Sequence, residues 1–129
     1  MRLLRGRRDR GAAAVEFAII LPLLAALTLG ILAFGHAFHV QTVLDNAARE
    51  GVRVAALTTG STRIAAAQQA AIDSASPSIA LTRSQVVVTP ATCAGGANAR
   101  VTITVPQLPL LGGIGTIRLS GTGTMRCQG

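Results

Sequence analysis

From Phe17 to Gly35, nineteen residues run without a single charge. At a rise of about 1.5 Å per residue, a helix of that length spans roughly 28 Å, close to the ~30 Å hydrocarbon core of a bilayer. The run predicts a transmembrane helix. What precedes it sets a direction. Residues 1–11 hold five arginines (Arg2, Arg5, Arg7, Arg8, Arg10) against Asp9, a net of +4, while residues 12–129 hold seven arginines against four acids, a net of +3. Positive charge packed against one end of an apolar run marks the cytoplasmic side. The predicted topology places the N-terminus in the cytoplasm and everything beyond about residue 38 outside. The overall charge of +7 also raises nucleic acid as a partner, but there is no Trp or Tyr to stack on bases and the three Phe lie in or beside the apolar run. Nucleic-acid binding is not expected.

The apolar run does not stop cleanly. Beyond His36, the residues Val40, Val43, Leu44, Ala47, Ala48, Gly51, Val52 and Ala55 recur at the i, i+3, i+4, i+7 spacing of one helical face, and Gln41, Thr42, Asp45, Asn46, Arg49 and Arg53 fill the other. Asp45 and Arg49 stand at i, i+4 with the acid first, an arrangement worth a few tenths of a kcal/mol when paired. No turn cluster separates the two segments. They predict one helix over residues 12–57, roughly 70 Å long. Its membrane part covers residues 12–38 and its exported amphipathic continuation residues 39–57. Pro22 removes one helical hydrogen bond and is expected to kink it.

Residues 58–129 read as a small extracytoplasmic α+β domain. "TTGST" (58–62) ends the long helix, Ser61 or Thr62 is positioned to cap a second helix over 63–75, and Pro77 ends that one. Then the period changes to two. "SQVVVT" (84–89), "RVTITV" (100–105) and "TIRLSGTGTMR" (116–126) predict strands. "CAGGANA" (93–99) reads as a hairpin loop between the first two, and "PQLPLLGGIG" (106–115) as a loop with exposed leucines. The resulting antiparallel sheet needs cover for its apolar face, and the exported half of the long helix is the available cover. A domain this small is marginal on its core alone. Cys93 and Cys127 are the only cysteines, both on the exported side. A disulfide between them closes a loop of about 35 residues, worth ~3–4 kcal/mol in the chain-entropy model, and the alternative is two buried thiols.

One residue contradicts the apolar run. Glu16 sits at its edge. It reads as a charge that snorkels to the interface, as an acid favoured at a helix N-terminus, or, less well, as part of a cleaved secretory signal ending near "GHA" (35–37). The surrounding order of residues supports a sharper reading. Gly11 follows the arginine block, Glu16 is the fifth residue after it and Phe17 the sixth. This G-x-x-x-x-E-F arrangement before an apolar run resembles the processing site of type IV prepilins, in particular the Flp/tight-adherence pilins and pseudopilins. The wider segment "RGAAAVEFAIILPLLAALTLGILAFGHAFHVQTVLDNAAREGVRVAA" resembles the N-terminal region of TadE-like proteins over about residues 10–56. The tail, ending in "GTGTMR", carries it only weakly.

The resemblance implies a pilin-like α+β fold, with a long transmembrane-to-periplasmic helix, a second short helix and a small antiparallel sheet. It implies residues 1–11 as a basic leader peptide, removed by a prepilin peptidase that cuts between Gly11 and Ala12 on the cytoplasmic side. It implies a role as a minor pilin or pseudopilin of a Tad-type pilus or secretion apparatus, with other pilin-like subunits and the Tad assembly platform as partners. Cutting frees an amine on Ala12, which Glu16 can meet within its own helix at i, i+4 or in a neighbouring subunit; the residues do not choose between the two. The alternatives are an envelope protein anchored in the membrane that never enters a filament, and a tethered partner of an exported enzyme.

Chemistry of other kinds finds little support. His36 and His39 share a helix face near the membrane exit, with no third ligand nearby, and two cysteines make no metal set. No Ser/His/Asp or Cys/His constellation stands out, and "LLGGIG" lacks the lysine of a phosphate loop. The expectation is a protein that is not an enzyme, with no cofactor, no metal and no small-molecule substrate.

Overall fold

The computed structural model describes residues 5–110, 113 and 115–128, with side chains from residue 11 onward. The expected leader is therefore described only from Arg5, and for Arg5–Arg10 only as backbone. The chain divides into two units, residues 1–35 and 36–129. Helix α1, Arg5–Leu57, contributes residues to both.

In the first unit α1 begins seven residues earlier than the apolar pattern indicated. Arginine and alanine are good helix formers, and nothing between Arg5 and Ala12 forces the chain out of the helix; a glycine weakens it without breaking it. Every side chain from Gly11 to Leu29 is exposed. Phe17, Leu23 and Phe34 expose 63%, 72% and 72% of their surface. In water that would be untenable for so long a stretch, and in a bilayer it is the ordinary condition. Pro22 lies inside α1 and the helix continues on both sides of it. Thr28 satisfies its own hydroxyl by donating to the Leu24 carbonyl at 2.8 Å.

The second unit is a two-layer α+β arrangement. Helix α2 is Arg63–Ala75. Strands β1 (Val86–Thr89), β2 (Asn98–Pro109) and β3 (Thr116–Arg126) form an antiparallel sheet in the order β1-β2-β3. One face of the sheet is apolar: Val86 and Val88 from β1 and Ala99, Val101, Ile103 and Val105 from β2 are buried, and they share one core with Val40, Leu44, Ala48 and Val52 of α1 and Ala67 and Ala71 of α2. The C-terminal half of α1 does cover the sheet.

The contact is unusually close. A Cβ on Gly121 would lie 2.6 Å from the Leu44 carbonyl carbon and oxygen, and one on Gly123 would lie 2.6 Å from the Ala48 carbonyl oxygen. Glycine at these alternate positions of β3 lets helix backbone rest on strand backbone. Gly51 plays a milder version of the same part between the helices, where a Cβ would meet the Ala71 methyl at 3.1 Å. Gln41 fastens the margin by donating from Nε2 to the Ser120 carbonyl at 2.9 Å.

Helix α1 ends in the threonines after Leu57, and Gly60 turns the chain at φ +89°, a conformation costly for any residue with a Cβ. Helix α2 has the bounds that the sequence predicted, but its cap differs. Thr62 occupies the N-cap with helical backbone angles and makes no side-chain cap hydrogen bond, so neither Ser61 nor Thr62 performs the capping expected. Gln68 reaches from α2 to the start of β1 and donates to the Val86 carbonyl at 3.0 Å.

Three further expectations are corrected. Residues 83–85 form a short 3-10 turn rather than the start of β1. The Gln85 side chain accepts the Thr82 amide at 2.8 Å and so diverts that backbone from the sheet. Pro106–Pro109 belongs to β2 rather than to a loop, and Leu108 is buried. The pairing shifts between Val105↔Leu119 and Leu108↔Ile117, so Pro106 and Gln107 face one residue; a bulge is where a strand tolerates a proline without a donor. Of the predicted leucine loop, residues 111, 112 and 114 lie outside the described residues. Finally, Asp45 is engaged by Gln41 Nε2 at 3.2 Å rather than by Arg49; the ion pair found among the described residues is Arg53 to Glu50 at 3.7 Å.

The hairpin between β1 and β2 closes with the Ala97 amide donating to the Ala94 carbonyl at 3.0 Å, and Gly96 supplies φ +87° at the third position. Cys93 of this loop is joined to Cys127 just beyond β3, with 5.6 Å between Cα atoms.

Two outcomes are expected. Gly121→Ala or Gly123→Ala forces the helix off the sheet and should cost about 1–3 kcal/mol, seen as a drop in Tm of roughly 4–8 °C per kcal/mol in thermal unfolding of the detergent-solubilised chain. Thr122→Ala, between them on the exposed face, should leave Tm nearly unchanged. Separately, the double substitution Cys93→Ala/Cys127→Ala should lower stability by ~2–4 kcal/mol, because it frees a loop with a sequence separation of 34 in the unfolded chain.

Candidate functional site

The residues that carry the prepilin-like pattern lie along the exposed first unit of α1. Gly11, Ala12, Glu16 and Phe17 are all helical and all exposed. The bond expected to be cut, Gly11–Ala12, is held in helical form, and the space beside Gly11 is empty for at least 4 Å around a would-be Cβ. Glycine costs a helix interior roughly 0.5–1 kcal/mol relative to alanine, so Gly11 weakens the helix locally beside this bond. Glu16 stands one turn beyond Ala12, about 6 Å further along the axis and on nearly the same face. An amine freed at Ala12 would therefore be within reach of the Glu16 carboxylate, either in the same chain or in a neighbour packed alongside.

The electrostatics of the position are plain. A carboxylate at the edge of an uncharged run favours a cationic partner or the interface. Among the described residues Glu16 takes part in no ion pair. What the arrangement can do is associate: it offers a carboxylate, an aromatic side chain and a row of small residues, Ala26, Gly30 and Ala33, at the spacing that allows close approach of helices in lipid. Among the described residues, one helix is long and apolar enough to cross a membrane.

The remaining sequence candidates sit in the second unit. His36 is half-buried and His39 exposed. Among the described residues no three His, Cys, Asp or Glu side chains come together. Cys93 and Cys127 are joined and hold the end of the sheet to the hairpin loop.

Arg63 is the residue that the sequence did not reveal. It opens α2, where the helix dipole disfavours a cation, and yet it is only 1% exposed. Its Nε donates to the Ala55 carbonyl at 2.6 Å, in the last turn of α1, and its Nη1 donates to the carbonyls of Pro90 and of Ala91, the latter at 3.1 Å. Arg63 thus caps the negative end of α1 and ties it to the loop that carries Cys93. The only hint in the sequence was a cation on the wrong end of a helix.

No curated protein and no solved structure matches the chain. A family model does: residues 11–53 match the one described as TadE-like protein. The match begins at Gly11 and contains Glu16, Phe17, the apolar run and all but the last turn of the α1 face that packs in the core. Over residues 11–53, a third of its length, this chain is similar to the TadE-like family.

Proposed function

We propose that the protein is a minor pilin or pseudopilin that takes part in assembling a Tad-type pilus or secretion apparatus. It works through helix association and not as an enzyme. The observation that carries this reading is the TadE-like segment, which places Gly11, Glu16 and Phe17 in order on an exposed apolar helix. The N-terminus lies in the cytoplasm, the arginines hold it there, and residues 36–129 lie on the far side of the membrane. The disulfide supports that orientation, because such bonds persist in oxidising compartments. A prepilin peptidase removes residues 1–11, and the new Ala12 amine then needs a partner in a low-dielectric setting. Glu16 of the same or a neighbouring subunit supplies it. The partners are other pilin-like subunits and the membrane-embedded assembly platform.

Processing is tested first. The mature chain should begin at Ala12 by N-terminal sequencing, and Gly11→Val should leave a full-length precursor, since a β-branched side chain crowds a narrow protease cleft. Wild-type protein that still begins at Met1 in cells carrying the peptidase would refute the assignment.

Association is tested next. Glu16→Gln should be cleaved normally yet lose co-purification with its pilin-like partners, because the amine is left without a counter-charge at a cost of a few kcal/mol. Glu16→Asp should retain more association than Glu16→Gln. Equal recovery of partners with Gln and with wild type would leave Glu16 as an interfacial charge with no part in assembly.

A further inference from the structure

The sheet face opposite the core has a chemistry of its own. Along each strand the exposed residues largely alternate with the buried ones, and apart from Val87 and the Pro106–Pro109 end of β2 they are threonine, serine, asparagine and arginine. At one end they form a groove of about 460 Å³ lined by Thr89, Asn98, Arg100, Thr124, Met125 and Arg126. The pairing explains its construction. Arg100 lies opposite Thr89 on β1 and Thr124 on β3, and Asn98 lies opposite Arg126. Arg100 and Arg126 are thus diagonal neighbours on adjacent strands, about 7–8 Å apart. Among the described residues neither guanidinium has an ion pair or a hydrogen-bond partner. The acids of the second unit, Asp45, Glu50 and Asp73, all lie on the helices.

We propose that this groove docks an extended, acidic segment of a protein partner, with two carboxylates one residue apart seated on Arg100 and Arg126. The spacing fits: side chains at i and i+2 of an extended chain lie about 6.6–6.8 Å apart on one face, close to the diagonal separation of the two arginines. The lining fits as well. Threonine hydroxyls and the Asn98 amide both donate and accept, as the amides of a peptide require, whereas a sulfated or phosphorylated polymer offers mainly acceptors. A polyanion would also need a continuous basic track. The third arginine of this face, Arg118, is eight residues along β3 from Arg126, roughly 26 Å away. With no aromatic ring in the lining, the groove gives a neutral sugar nothing to stack on. Arginine, rather than lysine, suits carboxylates because its planar fork binds them through two hydrogen bonds. The assignment stands on the sheet face alone and does not depend on the pilus reading.

The test uses the full chain in a non-ionic detergent and fluorescence anisotropy of short labelled peptides. A peptide with two glutamates separated by one residue should bind saturably and weaken as salt rises. Its glutamine counterpart should bind at least tenfold more weakly, and a peptide with adjacent glutamates, whose side chains point to opposite faces, several-fold more weakly. Arg100→Ala/Arg126→Ala should lose at least tenfold in affinity with Tm unchanged, Arg100→Lys/Arg126→Lys should fall between, and Arg118→Ala should stay within twofold. Failure of the wild type to distinguish glutamate from glutamine peptides would overturn the proposal, and that comparison needs no variant to fold. So would equal losses with Arg118→Ala, which would mean general basicity, or polyphosphate binding tighter than the spaced-glutamate peptide, which would mean a polyanion site.

Discussion

The second unit depends on two glycines. Three strands bury little on their own, and the sheet becomes a folded unit only when a helix lies on it. Helix α1 comes down on β3 until the Leu44 and Ala48 carbonyls sit where the side chains of residues 121 and 123 would be. With helix and strand backbones in contact, Leu44 and Val40 reach the centre of the sheet and meet Val101 and Ile103 in one core. Small residues make the second contact in the same way, with Gly51 against Ala67 and Ala71 where α1 meets α2. Around Leu44 and Ile103 the core is built mostly of Ala, Gly and Val and owes its tightness to closeness rather than to bulk.

What that contact does not reach is held by polar means. The last turn of α1, the start of α2 and the loop after β1 converge on the Arg63 guanidinium, which carries a positive charge into the interior without a carboxylate. Backbone carbonyls at a helix C-terminus carry partial negative charge, so the site supplies in dipoles what it lacks in counter-ions. One amino group, Nη2, stays without a partner among the described residues. The disulfide fixes the same region covalently.

One helix thus serves two solvents. Its first unit presents apolar side chains in every direction, the condition of a segment whose backbone bonds are all internal and whose surroundings are lipid. Residues 36–57 bury one face and leave the other polar. A TadE-like segment spans both, from the glycine at 11 to the arginine at 53. The apolar part of the helix and the part that builds the core of the second unit are therefore continuous in sequence, while the outer sheet face lies wholly beyond the family match.

Much of this was legible in the sequence because it depends on local pattern. An uncharged run of bilayer length, an amphipathic period of 3.6, an alanine-rich segment between a glycine turn and a proline, and alternating strands each follow from neighbours a few residues apart. Those features determined the long helix, α2 at its observed bounds, β3 at its observed bounds and the pair of cysteines. What the sequence could not determine needed partners distant along the chain. Pro106 reads as the end of a strand until a register shift opposite Arg118 gives it a place without a donor. Arg63 carries no sign in the sequence of the carbonyls of Ala55 and Pro90 that converge on it. Asp45 has Arg49 in reach by spacing, yet it goes to Gln41, which is itself held at Ser120, seventy-nine residues away. The groove between Arg100 and Arg126 exists only because antiparallel pairing sets Asn98 against one and Thr124 against the other. Local periodicity decides which residues form an element and which face is apolar. Only tertiary packing decides which polar groups meet, because hydrogen bonds and charges answer to distance in space and not to separation along the chain.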